Sequence, residues 1–127
     1  MLGFLNHEAC VDEIRGADVF LAPSIVDDEG IGEGGAPTTI LEAQALGVPV
    51  VATDHCDIPN VTAPGESALI VPERDADALA DALVDLLADP DRREAMGRAG
   101  REHVERFHDV ENEARLLEER YFELLGR

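Results

Sequence analysis

The segment EGGAPTTILEAQALGVPVVAT, residues 33–53 of this 127-residue chain, constrains the fold more than any other part of the sequence. Gly34 and Gly35 allow backbone angles that a side chain would forbid, and Pro37 has a fixed φ that suits the first position of a helix. Good helix formers follow until a Gly-Val-Pro stop, which predicts a helix over about 37–46. The apolar run VPVVAT then predicts a short strand buried on both faces, as in a parallel sheet.

A loop, a helix and a buried strand in this order can form a phosphate site. The free N–H groups near Ala36, Thr38 and Thr39, together with the positive end of the helix dipole, favour an anion. Glu42 follows one turn later on the same face, where its carboxylate could accept hydrogen bonds from two vicinal hydroxyls such as those of a ribose. Glu33 could do the same for a sugar. The plainer alternative is that Gly-Gly is only a turn and the glutamate only complements the helix dipole.

The segments ADVFLAPS, EGGAPTTILEAQALGVPVVAT and IPNVTAPGESALIVPERDADALADAL resemble, in this order, the C-terminal donor-binding domain of GT-B fold, retaining glycosyltransferases of the glycosyl transferases group 1 family. The resemblance extends from Leu2 to about Phe107. It implies an α/β fold, a partial Rossmann-like doubly wound parallel sheet that forms the second half of a GT-B C-terminal domain, followed by C-terminal helices. It also implies a nucleotide-diphosphate sugar as donor, transfer of the sugar to an acceptor hydroxyl with retention, and no requirement for a metal or other cofactor.

The resemblance also assigns roles to residues. The second glutamate of the family's paired-glutamate motif, which binds the ribose, corresponds to Glu42, and the first, which contacts the donor sugar, corresponds to Glu33 as the catalytic candidate. The family usually has seven residues between them, whereas this chain has eight, and the extra residue falls in the Gly-Gly turn. The other expected donor-binding residues are Gly34, Gly35, Ala36, Thr38, Thr39 and Ser24.

The rest of the chain alternates between strand and helix patterns. MLGFL and VFLAP predict strands on either side of the helix HEACVDEIRGA, and this alternation is typical of a parallel, doubly wound sheet. Ligands of such sheets lie beyond the carboxyl ends of the strands, where Ser24 stands. The loop IVDDEGIGEGG that follows Ser24 is either a functional flap or a solvated insertion.

Three helices are predicted after a short strand, ALIV. Asp75 should cap the first of them, Pro90 should begin the second, and the third should span about 109–125. All three are expected to pack against the core through apolar faces, and His103 and His108 should be surface or capping residues. The apolar faces comprise Leu79, Leu83, Leu86 and Leu87 in the first helix and Val110, Leu116, Leu117 and Leu124 in the third.

The adjacent residues His55, Cys56 and Asp57 invite a metal or a nucleophilic site. We expect neither, because neighbours at the end of a strand rarely converge on one ion or form a catalytic pair. The cysteines, Cys10 and Cys56, are too few for a disulfide scaffold, which fits a reducing, cytoplasmic compartment. No stretch is long and apolar enough to predict a transmembrane span.

The charge is unusual, with 28 acidic residues against 10 basic ones, a net charge of −18 and no lysine. Dispersed acidic residues of this kind are typical of proteins from a high-salt cytoplasm, where screening removes self-repulsion. The alternative is a non-catalytic, acidic α/β interaction module with a basic partner. Nucleic acid is excluded as a partner because there is no basic stripe, and a receiver-type signalling domain is excluded because it needs a lysine.

Residues 1–127 are therefore expected to form a single partial donor-binding domain. By the resemblance, its first strands and the N-terminal acceptor domain are absent, and the chain begins at what would be the third strand. In the strand order 3-2-1-4-5-6 this leaves one edge of VFLAP unpaired. We expect that edge to be covered by MLGFL, by the missing N-terminal domain or by another copy of the chain in a homo-oligomer.

Overall fold

The fold was obtained as a computed structural model, which describes residues 2–30, 32, 35 and 37–126. Three of the expected site residues, Glu33, Gly34 and Ala36, lie outside the described residues. The elements are, in chain order, α1 (His7–Arg15), β1 (Phe20–Ala22), α2 (Thr38–Ala45), β2 (Val50–Thr53), a 3₁₀ turn (Ile58–Asn60), β3 (Ala68–Val71), α3 (Ala76–Ala88), α4 (Pro90–Phe107) and α5 (Val110–Leu125).

The three strands form a parallel sheet in the order β1-β2-β3. β2 lies at the centre, and Val50 pairs with Phe20 on one side and with Ala68 on the other. Every residue of β2 is buried, as the unbroken apolar run predicted. The α/β class with a parallel sheet and C-terminal helices, expected from the alternating pattern, is confirmed.

The core has one cluster on each face of β2. On one face, buried residues of α1 and α2 pack against Val50 and Ala52, including Ile14, Ile40 and Ala43. On the other face, Leu86 of α3 and Met96 of α4 pack against Val51. The sheet is thus covered by helices on both faces, which is why β2 carries no polar alternation.

The predicted helices form with small differences at their ends. Asp75 caps α3 through a 2.9 Å hydrogen bond from the Ala78 N–H, and Pro90 is the first residue of α4. Pro37 is the N-cap of α2 and not its first helical residue, because its ψ of 125° is extended. In α3, Leu79 and Leu86 face the sheet as predicted, but Leu87 is 46% exposed and lies outside that face.

Two expectations about the ends of the chain are wrong. Residues 2–6 form no strand and do not pair with β1; Gly3 has φ +75° and the Phe4 side chain is fully exposed. Helix α5 forms where predicted but buries none of its residues, and its apolar side chains are at least 45% exposed. Neither end therefore adds to the core, and cover of the β1 edge by another chain stays a prediction.

Candidate functional site

The carboxyl ends of the three strands meet at one edge of the sheet. Ser24 follows β1, Thr53 ends β2, and Glu73 follows β3. The Thr53 hydroxyl donates a 2.5 Å hydrogen bond to the Ser24 carbonyl oxygen, which ties the loop after β1 to the central strand. This edge is where doubly wound sheets bind their ligands.

The N-terminus of α2 faces this edge without a cap. The other α-helices of the described chain have side-chain caps, in which Asn6, Asp75, Asp89 or Asp109 accepts a hydrogen bond from a backbone N–H of the first turn. Within the described residues, Pro37 offers α2 no such bond, and the first turn of α2 carries no acidic residue. Among the described residues, no side chain caps the first amides of α2, a position where the helix dipole favours an anion.

A shallow cavity of about 220 Å³ lies between the end of β1 and the start of α2. Its lining brings Ser24 together with Pro37 and Thr39 and also includes residues 20–23. Thr38 is exposed at the first helical position, outside the lining. Gly35 has φ +81°, a left-handed conformation that a side chain would disfavour.

Glu42 lies in the second turn of α2, away from the cavity lining. Its side chain is 32% exposed, and its Oε1 lies 3.9 Å from Nδ1 of His7 on α1. An ionised carboxylate can only accept hydrogen bonds, so Glu42 suits hydroxyl groups and repels phosphate. Glu42, Thr38 and Thr39 share one helix, while Glu33, Gly34 and Ala36 fall outside the described residues.

Helix α2 is fixed from behind by a buried glutamine and two glycines that sequence reasoning missed. Gln44 is fully buried; its amide donates to the Val61 carbonyl oxygen at 2.8 Å, and its Oε1 accepts from the Ser67 hydroxyl at 2.8 Å. A Cβ on Gly97 of α4 would lie 2.0 Å from the Gly47 carbonyl oxygen, and one on Gly100 would lie 3.2 Å from Cγ of Gln44. The small-residue spacing in AMGRAG was the available signal for this close helix contact.

The pair formed by the buried His55 and the partly exposed Glu73 was not expected from the sequence. His55 follows β2 and is fully buried, and its Nδ1 lies 2.7 Å from Oε1 of Glu73. The other Glu73 oxygen accepts a 3.0 Å hydrogen bond from the Val26 N–H. This backbone N–H, followed by the His55 ring, lowers the pKa of Glu73 below its usual range.

His55 and Cys56 approach each other although neighbours do so rarely, and the expectation that they form no nucleophilic site stays a prediction. Cys56 adopts a left-handed conformation with φ +46°, which turns its sulfur back to 3.3 Å from Nε2 of His55. Among the residues that the structure describes, no three histidine, cysteine or acidic side chains cluster as a metal site would require. Nor does any described helix have the length and apolarity to cross a membrane.

Comparisons with known proteins identify the same kind of domain. A sequence model of the family described as "Glycosyl transferases group 1" matches residues 1–103. A GDP-mannose-dependent monoacylated alpha-(1-6)-phosphatidylinositol monomannoside mannosyltransferase from Corynebacterium glutamicum is 40% identical over 104 residues, which cover 82% of this chain but only 27% of the relative. The chain thus spans about a quarter of that relative's length.

Solved structures agree on the fold. A sucrose-phosphate synthase from Thermosynechococcus elongatus superposes with a TM-score of 0.81 and 31% identity, over 98% of this chain and 30% of the synthase. The C-terminal domain of a glycosyl transferase group 1 family protein from Francisella tularensis superposes with a TM-score of 0.73 and 22% identity, over 86% of this chain and 53% of that one. Both neighbours contain the parallel-sheet domain described above.

Proposed function

This chain belongs to the glycosyl transferases group 1 family, and we propose that it provides the donor-binding part of a glycosyltransferase that transfers a sugar from a nucleotide diphosphate to an acceptor hydroxyl. The observation that carries this proposal is the uncapped N-terminus of α2 beside the cavity at the end of β1. Since the chain spans only part of its relatives, the acceptor side of the reaction is assigned to the remainder of such a protein.

The first step of the proposal concerns the diphosphate. The amides at the start of α2 donate hydrogen bonds to its oxygens, with Gly35 permitting close approach of the backbone and the Ser24 and Thr39 side chains completing the pocket wall. Donors that are already oriented stabilise the charge of a leaving diphosphate without reorganisation, an effect worth about 3 kcal/mol per donor in closed sites. No metal is needed for this role, so we propose a metal-independent site.

The second step concerns the sugars. Glu42 accepts hydrogen bonds from the two ribose hydroxyls, one helical turn beyond the diphosphate, and its partial exposure leaves it open to a ligand. We assign Glu33 to the hydroxyls of the donor sugar by its place in the family motif. Retention of the anomeric configuration belongs to the same proposal and would be checked on the full-length enzyme by the anomeric signals of its product.

Titration calorimetry with GDP and UDP in molar salt tests the site, GDP being the nucleotide named for the mannosyltransferase relative. Wild type should bind one of them, and Glu42→Ala should weaken that binding by about 1–3 kcal/mol, the usual effect of losing a charged hydrogen-bond acceptor. Glu42→Gln should weaken it less, because the amide oxygen still accepts.

A 2′,3′-dideoxynucleoside diphosphate identifies which ligand atoms Glu42 contacts. If Glu42 binds the ribose hydroxyls, wild type and Glu42→Ala should bind this analogue equally. The losses of binding free energy caused by the mutation and by the missing hydroxyls should then not add. Glu118→Ala, which removes an exposed carboxylate from α5, controls for the change in net charge. If Glu42→Ala weakens binding of the nucleotide and of its dideoxy analogue equally, Glu42 does not bind the ribose hydroxyls. If the folded wild type binds no nucleotide, the donor site is rejected.

A further inference from the structure

The loop that follows β1 is held by two consecutive residues at the end of β3. Glu73 accepts a hydrogen bond from the Val26 N–H at 3.0 Å, and the Arg74 guanidinium donates to the Val26 carbonyl oxygen at 2.6 Å. Both backbone groups of one loop residue are therefore satisfied by side chains nearly fifty positions away. Arg74 also contacts Oδ1 of the exposed Asp28 at 3.1 Å, a second contact between this arginine and the loop.

His55 connects this contact to the other limb of the loop. Its Nδ1 pairs with Glu73, and its ring packs against Gly32, where an added Cβ would come within 2.9 Å of Cε1. The two limbs of the loop, at Val26 and at Gly32, are thus joined through one buried imidazole. The same loop starts at Ser24, in the wall of the donor cavity.

Arg74 occupies an unfavourable backbone position. It is one of two non-glycine residues with positive φ among the described residues, at φ +63°. Only glycine adopts this conformation without cost. Because the Arg74 side chain is 54% exposed, burial does not explain why an arginine stands there. Its contacts to Val26 and Asp28 of the loop explain it.

We propose that Glu73 and Arg74 are positioning residues that hold the loop after β1 in the conformation that binds the donor, with His55 joining the two limbs. This inference rests on the proposed donor site. A loop released from this clamp would have to be ordered by the ligand, and that cost would appear as weaker binding.

Arg74→Gly separates positioning from stability. Glycine relieves the left-handed strain, which offsets the lost contacts and the higher entropy that glycine gives the unfolded chain, so the melting temperature should stay close to that of wild type. GDP or UDP, whichever wild type binds, should nevertheless bind about threefold to tenfold more weakly, since two loop contacts are lost. Arg74→Lys, which keeps the charge and can donate to Val26, should restore most of the affinity. Arg101→Gln removes an equal charge from an exposed ion pair on α4 and should bind like wild type.

A second variant examines the other half of the clamp. Glu73→Gln can keep both contacts, because its amide oxygen accepts from Val26 while its amide nitrogen donates to Nδ1 of a His55 ring protonated on Nε2. Glu73→Ala loses both. Affinity should therefore fall for the alanine variant and recover in the glutamine variant, and hydrogen exchange in peptides covering residues 24–32 should accelerate in the alanine variant only.

The outcomes are distinguishable. Unchanged nucleotide affinity in Arg74→Gly and Glu73→Ala, with binding by wild type, would overturn the positioning role and leave the donor site standing. The same holds if Arg101→Gln weakens binding as much as Arg74→Gly, because the effect would then be one of net charge. Absence of nucleotide binding by wild type would overturn the donor site and this inference together.

Discussion

Replacing Pro37 by aspartate would supply α2 with the cap that it lacks. Pro37 already has the extended backbone of an N-cap, with φ −63° and ψ 125°, so aspartate fits without rearrangement. Its carboxylate would accept a hydrogen bond from an amide of the first turn, as Asp75 does at the start of α3. The same amides form the proposed diphosphate site, so protein stability and nucleotide affinity should change in opposite directions.

The magnitudes follow from the geometry. A side-chain cap contributes about 0.5–2 kcal/mol and a carboxylate at the helix N-terminus about 0.3–1 kcal/mol. Loss of the proline restriction on the unfolded chain costs about 0.4–1 kcal/mol. Pro37→Asp should therefore be more stable by about 1 kcal/mol. A diphosphate about 4 Å from the new carboxylate would meet a repulsion of about 1–4 kcal/mol, equivalent to about fivefold weaker binding or more.

Urea unfolding and nucleotide calorimetry on the same preparation would measure both effects. Pro37→Asn is the matched control, because asparagine caps a helix without adding charge. It should gain similar stability and lose less affinity, since only the competition for the amide remains. If Pro37→Asp binds the nucleotide as tightly as wild type, the diphosphate does not lie at the start of α2.

The remaining predictions concern packing, burial and charge. Gly97→Ala should lower the free energy of unfolding, measured in urea, by about 1–3 kcal/mol despite the better helix propensity of alanine. The reason is that its Cβ would lie 2.0 Å from the Gly47 carbonyl oxygen. A smaller loss than in Gly100→Ala would contradict this. Ser67→Ala should lower the free energy of unfolding by about 1–3 kcal/mol, since it leaves the buried Gln44 oxygen without its hydrogen bond from Ser67. An unchanged urea midpoint would refute this prediction. Burial lowers the pKa of His103 below its usual 6.5, so the free energy of unfolding should fall as the pH drops below 6.5. His103→Gln should make the free energy of unfolding less dependent on pH in this range. An unchanged pH dependence would show that His103 is not its source. Melting temperature should rise steeply with added KCl, because salt screens the self-repulsion of a net charge of −18, and a flat response would oppose the halophilic interpretation.

The centre of the fold could be predicted from the sequence because local signals agree there. In VPVVAT the apolar run, the flanking Gly-Val-Pro and the preceding helix pattern all indicate a buried parallel strand, and β2 is buried throughout. At the ends of the chain the same signals misled. MLGFL has strand composition, but a strand forms only when it pairs, and residues 2–6 have no partner strand among the described residues. Similarly, the amphipathic pattern of α5 predicts a helix correctly but does not specify what covers its apolar face.

The placement of the candidate site residues was predictable to the extent that it is local. Thr38, Thr39 and Glu42 follow from one helix, and Ser24 follows from the rule that ligands lie beyond strand ends. The contacts between Glu73, Arg74 and the loop after β1 join residues nearly fifty positions apart, and no sequence period reports such a pairing. The approach of Cys56 to His55 depends on a left-handed backbone that nothing in the sequence signals, since non-glycine residues adopt it rarely.

Helix α2 is stabilised at one end and left open at the other. Its C-terminal half is fixed by the buried Gln44 network and by a glycine contact with α4 that tolerates no side chain, whereas its first turn has neither a cap nor an acidic residue within the described chain. In a protein with 28 acidic residues, four other helices begin with an Asn or Asp cap and an acidic first turn. A missing cap costs about 1 kcal/mol, and that cost is tolerable only because packing elsewhere holds the helix in place. The rigid end thus compensates for the missing cap. On the proposed donor site, substitutions at Gly97 or Gln44 should weaken nucleotide binding by displacing the helix without touching the ligand.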